Sequence, residues 1–194
     1  MKCIVLLTLV TGALAPVAAQ TKSIRAINPA PMEVTLAYSA DRSNAAGGAG
    51  GDFWMQGAKA EANMSFGRGL SLVAELGGAH VSNVNTAGAS LSMMTYLFGP
   101  RYSARRWRRW TPFAQFLAGG VHGFDAYFPN STGQSINPDA FAFAAGGGVN
   151  VNISRHFALR AVQADYMQTQ LPNAGSNRED HLRVATGIVF RFPK

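Results

Sequence analysis

Two carboxylates held close together can divide acid and base work between them, and Glu61 and Glu75 are placed to form such a pair. If the chain reverses at Gly67-Arg68, an extended hairpin sets them nearly opposite each other on one face. Lys59, two residues before Glu61, falls on that same face, and Arg101 joins it from the next strand-like segment. Confinement of like charges would drive the two carboxyl pKa values apart. The same four residues would equally make a buried ion network, because an unpaired interior charge is expensive. The choice between these readings depends on whether a substrate could reach them.

Three further groups bear on chemistry. In "HVSN", His80 and Ser82 lie two apart and would share one strand face, as a base and a nucleophile must. No acid that could orient the histidine follows until Asp125, in another connection. "RRWRRW", Arg105 to Trp110, interleaves cations with aromatics and could in isolation bind nucleic acid by charge and stacking. His122, His156 and His181 are scattered without metal-ligand spacing, and "NST" at Asn130 is a chance sequon. The one cysteine is Cys3, so a chain trimmed near residue 20 has no thiolate nucleophile or Cys-based metal site. No cofactor, metal or catalytic residue is expected, and the chain is expected not to be an enzyme.

The elements that would position these residues follow from composition and pattern. The chain has 194 residues, a formal charge of +7, and only 14% charged residues, where about 25% is usual for a soluble domain. That is not the profile of a soluble nucleic-acid binder. The start, "MKCIVLLTLVTGALAPVAAQ", has one Lys, an apolar run from Ile4 to Leu14 and a small-residue end at Val17-Ala18-Ala19. Residues 1–19 therefore read as a secretory signal peptide, the run being shorter than the ~20 residues of a spanning helix. Residues 20–31 form a proline-containing lead-in, and 32–194 the folded domain.

Period-2 alternation then continues to the end, over about 32–40, 53–66, 70–81, 89–102, 111–123, 140–153, 157–169 and 181–192. The fifth segment has no clear phase. In the seventh, Arg160 and Gln163 can share a face only across a bulge. Connections after the even segments ("GRG", "SARRWRRW", "SRH") are mostly shorter than the polar, Gly/Asn-rich ones between them. Opposite the apolar faces stand Gly, Ala, Ser, Asn, Thr and a few charges. Small residues suit a narrow filled interior, which eight strands enclose. Trp54, Tyr102, Trp107, Trp110 and Phe192 lie near strand ends or turns, as in aromatic interface girdles. The expected fold is an all-β, eight-stranded antiparallel up-and-down transmembrane barrel, turned inside out relative to a soluble one. A soluble lipocalin-like barrel is the rival.

"YLFGPRYS", "TPFAQFLAGG", "GGGVNVNISRHFALR" and the terminal "LRVATGIVFRF" resemble the small OmpA/OmpX-like outer-membrane β-barrel proteins of Gram-negative bacteria across the whole mature chain. The resemblance implies an interior ion network, here Lys59, Glu61, Glu75 and Arg101 with Arg183 and Arg191 from the last strand. It implies insertion by the barrel-assembly machinery through a terminal strand ending in Phe, here followed by Pro193-Lys194. His80 with Ser82 is similar to the His and Ser of lipid A deacylase barrels, without their Glu. The expected partners are outer-membrane lipid and lipopolysaccharide, with no nucleic acid and with the Arg/Trp turn meeting headgroups. A monomer is expected. Envelope structure and surface contact are the expected role, with Tyr127 and Phe128 in the longest connection as the candidate surface residues. A lipid A-modifying enzyme and a small channel are the alternatives.

Overall fold

The computed structural model describes residues 32–43, 53–82, 90–104, 107, 109–124, 128–130, 133–135, 138–171 and 178–193. Residues 1–31, expected from the sequence to hold a signal and a lead-in, lie outside these residues, as does Tyr127. Eight strands close into one barrel: β1 (Met32–Ser43), β2 (Phe53–Gly67), β3 (Leu70–Val81), β4 (Leu91–Ser103), β5 (Trp110–Phe124), β8 (Asp139–Asn152), β9 (Phe157–Thr169) and β10 (Glu179–Phe192). Neighbours in sequence are neighbours in the wall, and β1 pairs with β10 from Met32↔Phe192 to Ser43↔His181 to complete it. Each barrel strand has 12 to 15 residues, enough for the ~9–11 that a tilted strand needs to cross a bilayer. Between β5 and β8, where the sequence suggested only a loop, a small hairpin pairs β6 (Phe128–Asn130) with β7 (Gly133–Ser135). Phe128 is thus the first residue of a strand.

The wall faces the way the sequence patterns imply. Leu36, Tyr38, Met64, Leu76, Met94, Tyr96, Phe98, Phe116, Phe141 and Ile188 are among the large apolar side chains exposed on the outside. Their periodic partners point inward and are buried. An exterior this apolar around a filled polar interior fits hydrocarbon and not water. Trp54 sits near the loop end of the barrel, whereas Tyr102, Trp107, Trp110 and Phe192 ring the turn end, all of them exposed.

Two ambiguous strands resolve for identifiable reasons. In β5, Thr111, Phe113, Gln115, Leu117 and Val121 are buried, while Trp110 and Phe116 are exposed. Apolar residues on both faces had hidden the phase. In β9, Arg160 pairs with Asn150 and the next partnered residue, Val162, with Val149. Ala161 is therefore an extra residue, and the resulting bulge lets both Arg160 and Gln163 point inward, fully buried.

The interior itself differs from the expected lining of small polar residues. Its loop end on one side is apolar, packed by Met55, Leu91, Met93, Val121, Met167 and Leu171. Their outward neighbours are mixed, Trp54, Met94 and Tyr166 beside polar Gln56, Ser92 and Gln168, so polarity alone did not mark these residues as inward. The polar residues fill the middle and the turn end.

The β2–β3 turn is built on backbone that favours glycine. Gly67, Arg68 and Gly69 all have positive φ (97°, 52° and 86°), and the Ser103 amide donates to the Gly69 carbonyl at 2.8 Å. A Cβ on Gly69 would fall 2.5 Å from the Ser103 carbonyl oxygen. Gly69→Val is expected to cost about 1–3 kcal/mol, read as a lower urea midpoint for the vesicle-inserted protein. Gly67→Ala should cost less, since a Cβ there meets nothing within 4 Å. Equal midpoints for the two variants would contradict this account.

Candidate functional site in the barrel interior

The inward positions of the eight strands converge on one connected set of charges. Glu61 and Glu75 are direct register partners across β2 and β3, as the hairpin geometry implies. They do not form a bare pair, because Lys59 stands between them. Its Nζ lies 3.1 Å from Glu61 Oε1, 3.0 Å from Glu75 Oε2 and 3.4 Å from Asp165 Oδ2. Glu61 Oε2 also takes Arg101 Nη2 at 2.6 Å and Arg160 Nη1 at 2.5 Å. On the other side, Glu75 Oε1 accepts from Arg183 Nη2 at 2.5 Å, and the same nitrogen lies 3.6 Å from Asp165.

Neutral side chains complete the set. The Gln115 carbonyl oxygen accepts from Arg101 Nε at 2.9 Å and from Arg101 Nη2, and its amide donates to Asp165 Oδ1 at 3.2 Å. Gln163 donates to Asp165 Oδ2 at 2.6 Å and accepts from Arg160 at 2.7 Å. Arg160 further donates to Thr35 and to Asn150. The Phe113 ring lies beneath two guanidinium groups, its centroid 4.4 Å from Arg101 Cζ and 4.9 Å from that of Arg160. Thr35, Lys59, Glu75, Arg101, Gln115, Asn150, Arg160 and Arg183 represent all eight barrel strands in order.

The charges nearly balance. Lys59, Arg101, Arg160 and Arg183 face Glu61, Glu75 and Asp165, and a fourth carboxylate, Asp41, is the register partner of Arg183. A cavity of about 10 Å³ beside Asp41, Arg183 and Thr95 is large enough for about one water molecule. Asp41 Oδ1 and Arg183 Nε, which have no hydrogen-bond partner among the described residues, are the groups such a water would satisfy. At the turn end a separate pair closes the barrel: Arg191 Nε donates to Glu33 at 3.0 Å, and Arg191 Nη2 to Asn152 at 2.7 Å.

The structure thus brings Lys59, Glu61, Glu75, Arg101 and Arg183 together and puts Arg191 in the Glu33 pair. Arg160, Asp165 and Asp41 were missed, the first two because the β9 bulge broke the alternation that would have marked them. His80 is not paired with Ser82. Its Nδ1 lies 2.9 Å from Ser92 Oγ, across the β3–β4 ladder on the outer surface. His122 pairs with Asp139 at 2.6 Å, also outward, and His181 is buried beside Thr169 and Glu179. Among the described residues no group of three metal-ligating side chains occurs. The interior carboxylates are enclosed and held by cations, which suits packing and leaves a substrate no approach.

Removing the central cation tests the network as a unit. Lys59→Met is expected to lower the unfolding free energy by about 3–5 kcal/mol, because it strands buried carboxylates. Adding Glu75→Gln should restore part of that loss in urea unfolding from vesicles. Purely additive losses would show that the two groups do not interact.

No family model matches the chain, and no curated protein matches it. Solved structures do. Neisserial surface protein A aligns at a TM-score of 0.63 and 10% identity, over 84% of this chain and 97% of that one. The attachment invasion locus protein Ail of Yersinia pestis aligns at 0.59 and 16% identity, over 84% and 99%. The outer membrane protein OprG of Pseudomonas aeruginosa aligns at 0.55 and 13% identity, over 86% and 97%. With eight antiparallel strands closed around a filled polar interior and an apolar exterior, the chain has the fold of the small OmpA/OmpX-like outer-membrane β-barrels.

Proposed function

We propose that this protein is a closed, non-enzymatic outer-membrane barrel that serves the envelope as a scaffold and meets external partners through its loops. The observation that carries the reading is the interior: charges from across the wall are buried and paired, and the loop end is packed with apolar side chains. A conducting channel needs a wetted path, and a barrel enzyme needs a reactive pair within reach of substrate. Residues 1–19 would direct export and be removed, 20–31 would lead into the barrel, and the β10 strand ending at Phe192 would be read by the assembly machinery. A monomer suffices, since the barrel closes on itself.

The ends of the barrel differ in a way that supports an orientation. The turns at 67–69, 104–109 and 153–156 contain arginines and no carboxylate, and Arg68, Arg109 and Arg155 are exposed. Such a rim suits anionic headgroups on the periplasmic side, with Trp107 and Trp110 anchoring beside them. The connections at the other end are poorer in cations: 44–52, 83–89 and 125–137 contain no Lys or Arg, and 170–178 contains one, Arg178, which is already paired with Asp180 and Tyr166. Ail has been solved in complex with the heparin analogue sucrose octasulfate. Connections this poor in cations are badly suited to a sulfated ligand, so a neutral partner contacting Tyr127 and Phe128 fits this chain better.

A chain trimmed at residue 19 has no cysteine, so single-cysteine labelling can test the orientation. Gly133→Cys should react with a membrane-impermeant maleimide on intact cells, and Arg155→Cys only after the envelope is opened. The reverse pattern would overturn the orientation. In planar bilayers the purified protein should give no stable conductance. A steady conductance altered by Glu75→Gln would establish the channel alternative instead.

A further inference from the structure

Outside the barrel, the lipid-facing surface of β1 to β4 is not uniformly ridged. Outward positions Ala58, Ala60 and Gly78 form the floor of a groove of about 690 Å³, walled by Leu36 and Tyr38 on one side and Leu76 and Met94 on the other. The next outward position toward the loop end on each of β2, β3 and β4 is polar: Gln56, His80 and Ser92, which lie in register across the three strands. His80 and Ser92 bond to each other. The other ring nitrogen of His80 and the Gln56 amide have no partner among the described residues, and both side chains are exposed. From Ala60 to Gln56 the groove and its head span about 13 Å along the strand.

Polar groups facing lipid need a hydrogen-bonding partner, and one at the head of an apolar groove is best supplied by an amphiphile. The trio carries no fixed charge, which suits a carbonyl better than a phosphate. We infer that this surface is a binding site for one acyl-ester lipid of the surrounding bilayer. A hydrocarbon chain lies over Ala58, Ala60 and Gly78, and the ester carbonyl meets the Gln56–His80–Ser92 row. No bond is broken in this assignment, and it does not depend on what the loops bind.

Gly78 allows a clean test, because a Cβ there meets nothing within 4 Å, whereas one on inward-facing Gly77 would strike Thr95 Oγ1 at 2.6 Å. Gly78→Leu should therefore fill the groove and leave the barrel folded, as judged by unboiled gel mobility. Ala114→Leu, outward on β5, serves as the control. Native mass spectrometry of the detergent-solubilised protein would be titrated with dimyristoyl phosphatidylcholine and with its dialkyl ether counterpart. The wild type and Ala114→Leu should retain one ester lipid, and Gly78→Leu should retain at least tenfold less. His80→Ala should weaken the ester lipid several-fold and leave the ether lipid unchanged. Equal retention by wild type and Gly78→Leu, or equal binding of ester and ether lipids, would overturn the assignment. So would a wild-type dimer that Gly78→Leu dissociates, which would make the groove a seat for a second copy.

Discussion

The ion network around Lys59 is the constraint on which the rest of this barrel depends. Its members come from every strand of the wall, and each charged group has a partner on a different strand. Glu61 alone takes a lysine and two arginines, which arrive from β2, β4 and β9. No hairpin could satisfy these groups by itself. The charges become affordable only once the wall has closed, so the network couples closure of β1 on β10 to burial of the middle of the barrel.

The network also explains the division of the interior. Long charged side chains reach across the barrel axis at mid-height, and Phe113 fills the space between two of them. Nearer the loops the lining changes to Met55, Met93, Met167 and other flexible apolar residues, which fill an irregular space without needing partners. On the outside, small residues on β2 and β3 leave a groove where bulkier strands elsewhere present ridges. One wall therefore carries two independent patterns, and they meet at residues such as Gly77 and Gly78, adjacent in sequence but opposed in face.

Most of the fold was legible in the sequence because eight segments alternate and because charged residues such as Lys59 and Glu61 lie two apart. What could not be read has distinct physical causes, the first being loss of polarity contrast along a strand. In β5, inward Phe113, Leu117 and Val121 share the strand with outward Trp110 and Phe116, so both faces look alike. In β9, the extra Ala161 shifts the phase halfway, which concealed Arg160 and Asp165. The partner of His80 was illegible for another reason. Ser92 lies on a different strand, and only the β3–β4 register brings the two together, whereas local spacing favoured Ser82.

Buried ion pairs contribute little net stability in general, since desolvation offsets much of the attraction. Their value here lies in register. A slip of one residue reverses the face of every side chain on a strand. In a soluble barrel that error exposes apolar residues to water. In this one it would also push charges into hydrocarbon, at about 2–4 kcal/mol for an Arg or Lys near the bilayer midplane. On β2 alone, Lys59 and Glu61 would face lipid while Arg101 and Arg160 lost their carboxylate inside and Glu75 kept only Arg183. An apolar interior would carry no such penalty, because Met and Leu are tolerated on either face. The network therefore discriminates against misregistered barrels more strongly than it stabilises the correct one, and it does so where the apolar pattern of β5 specifies least.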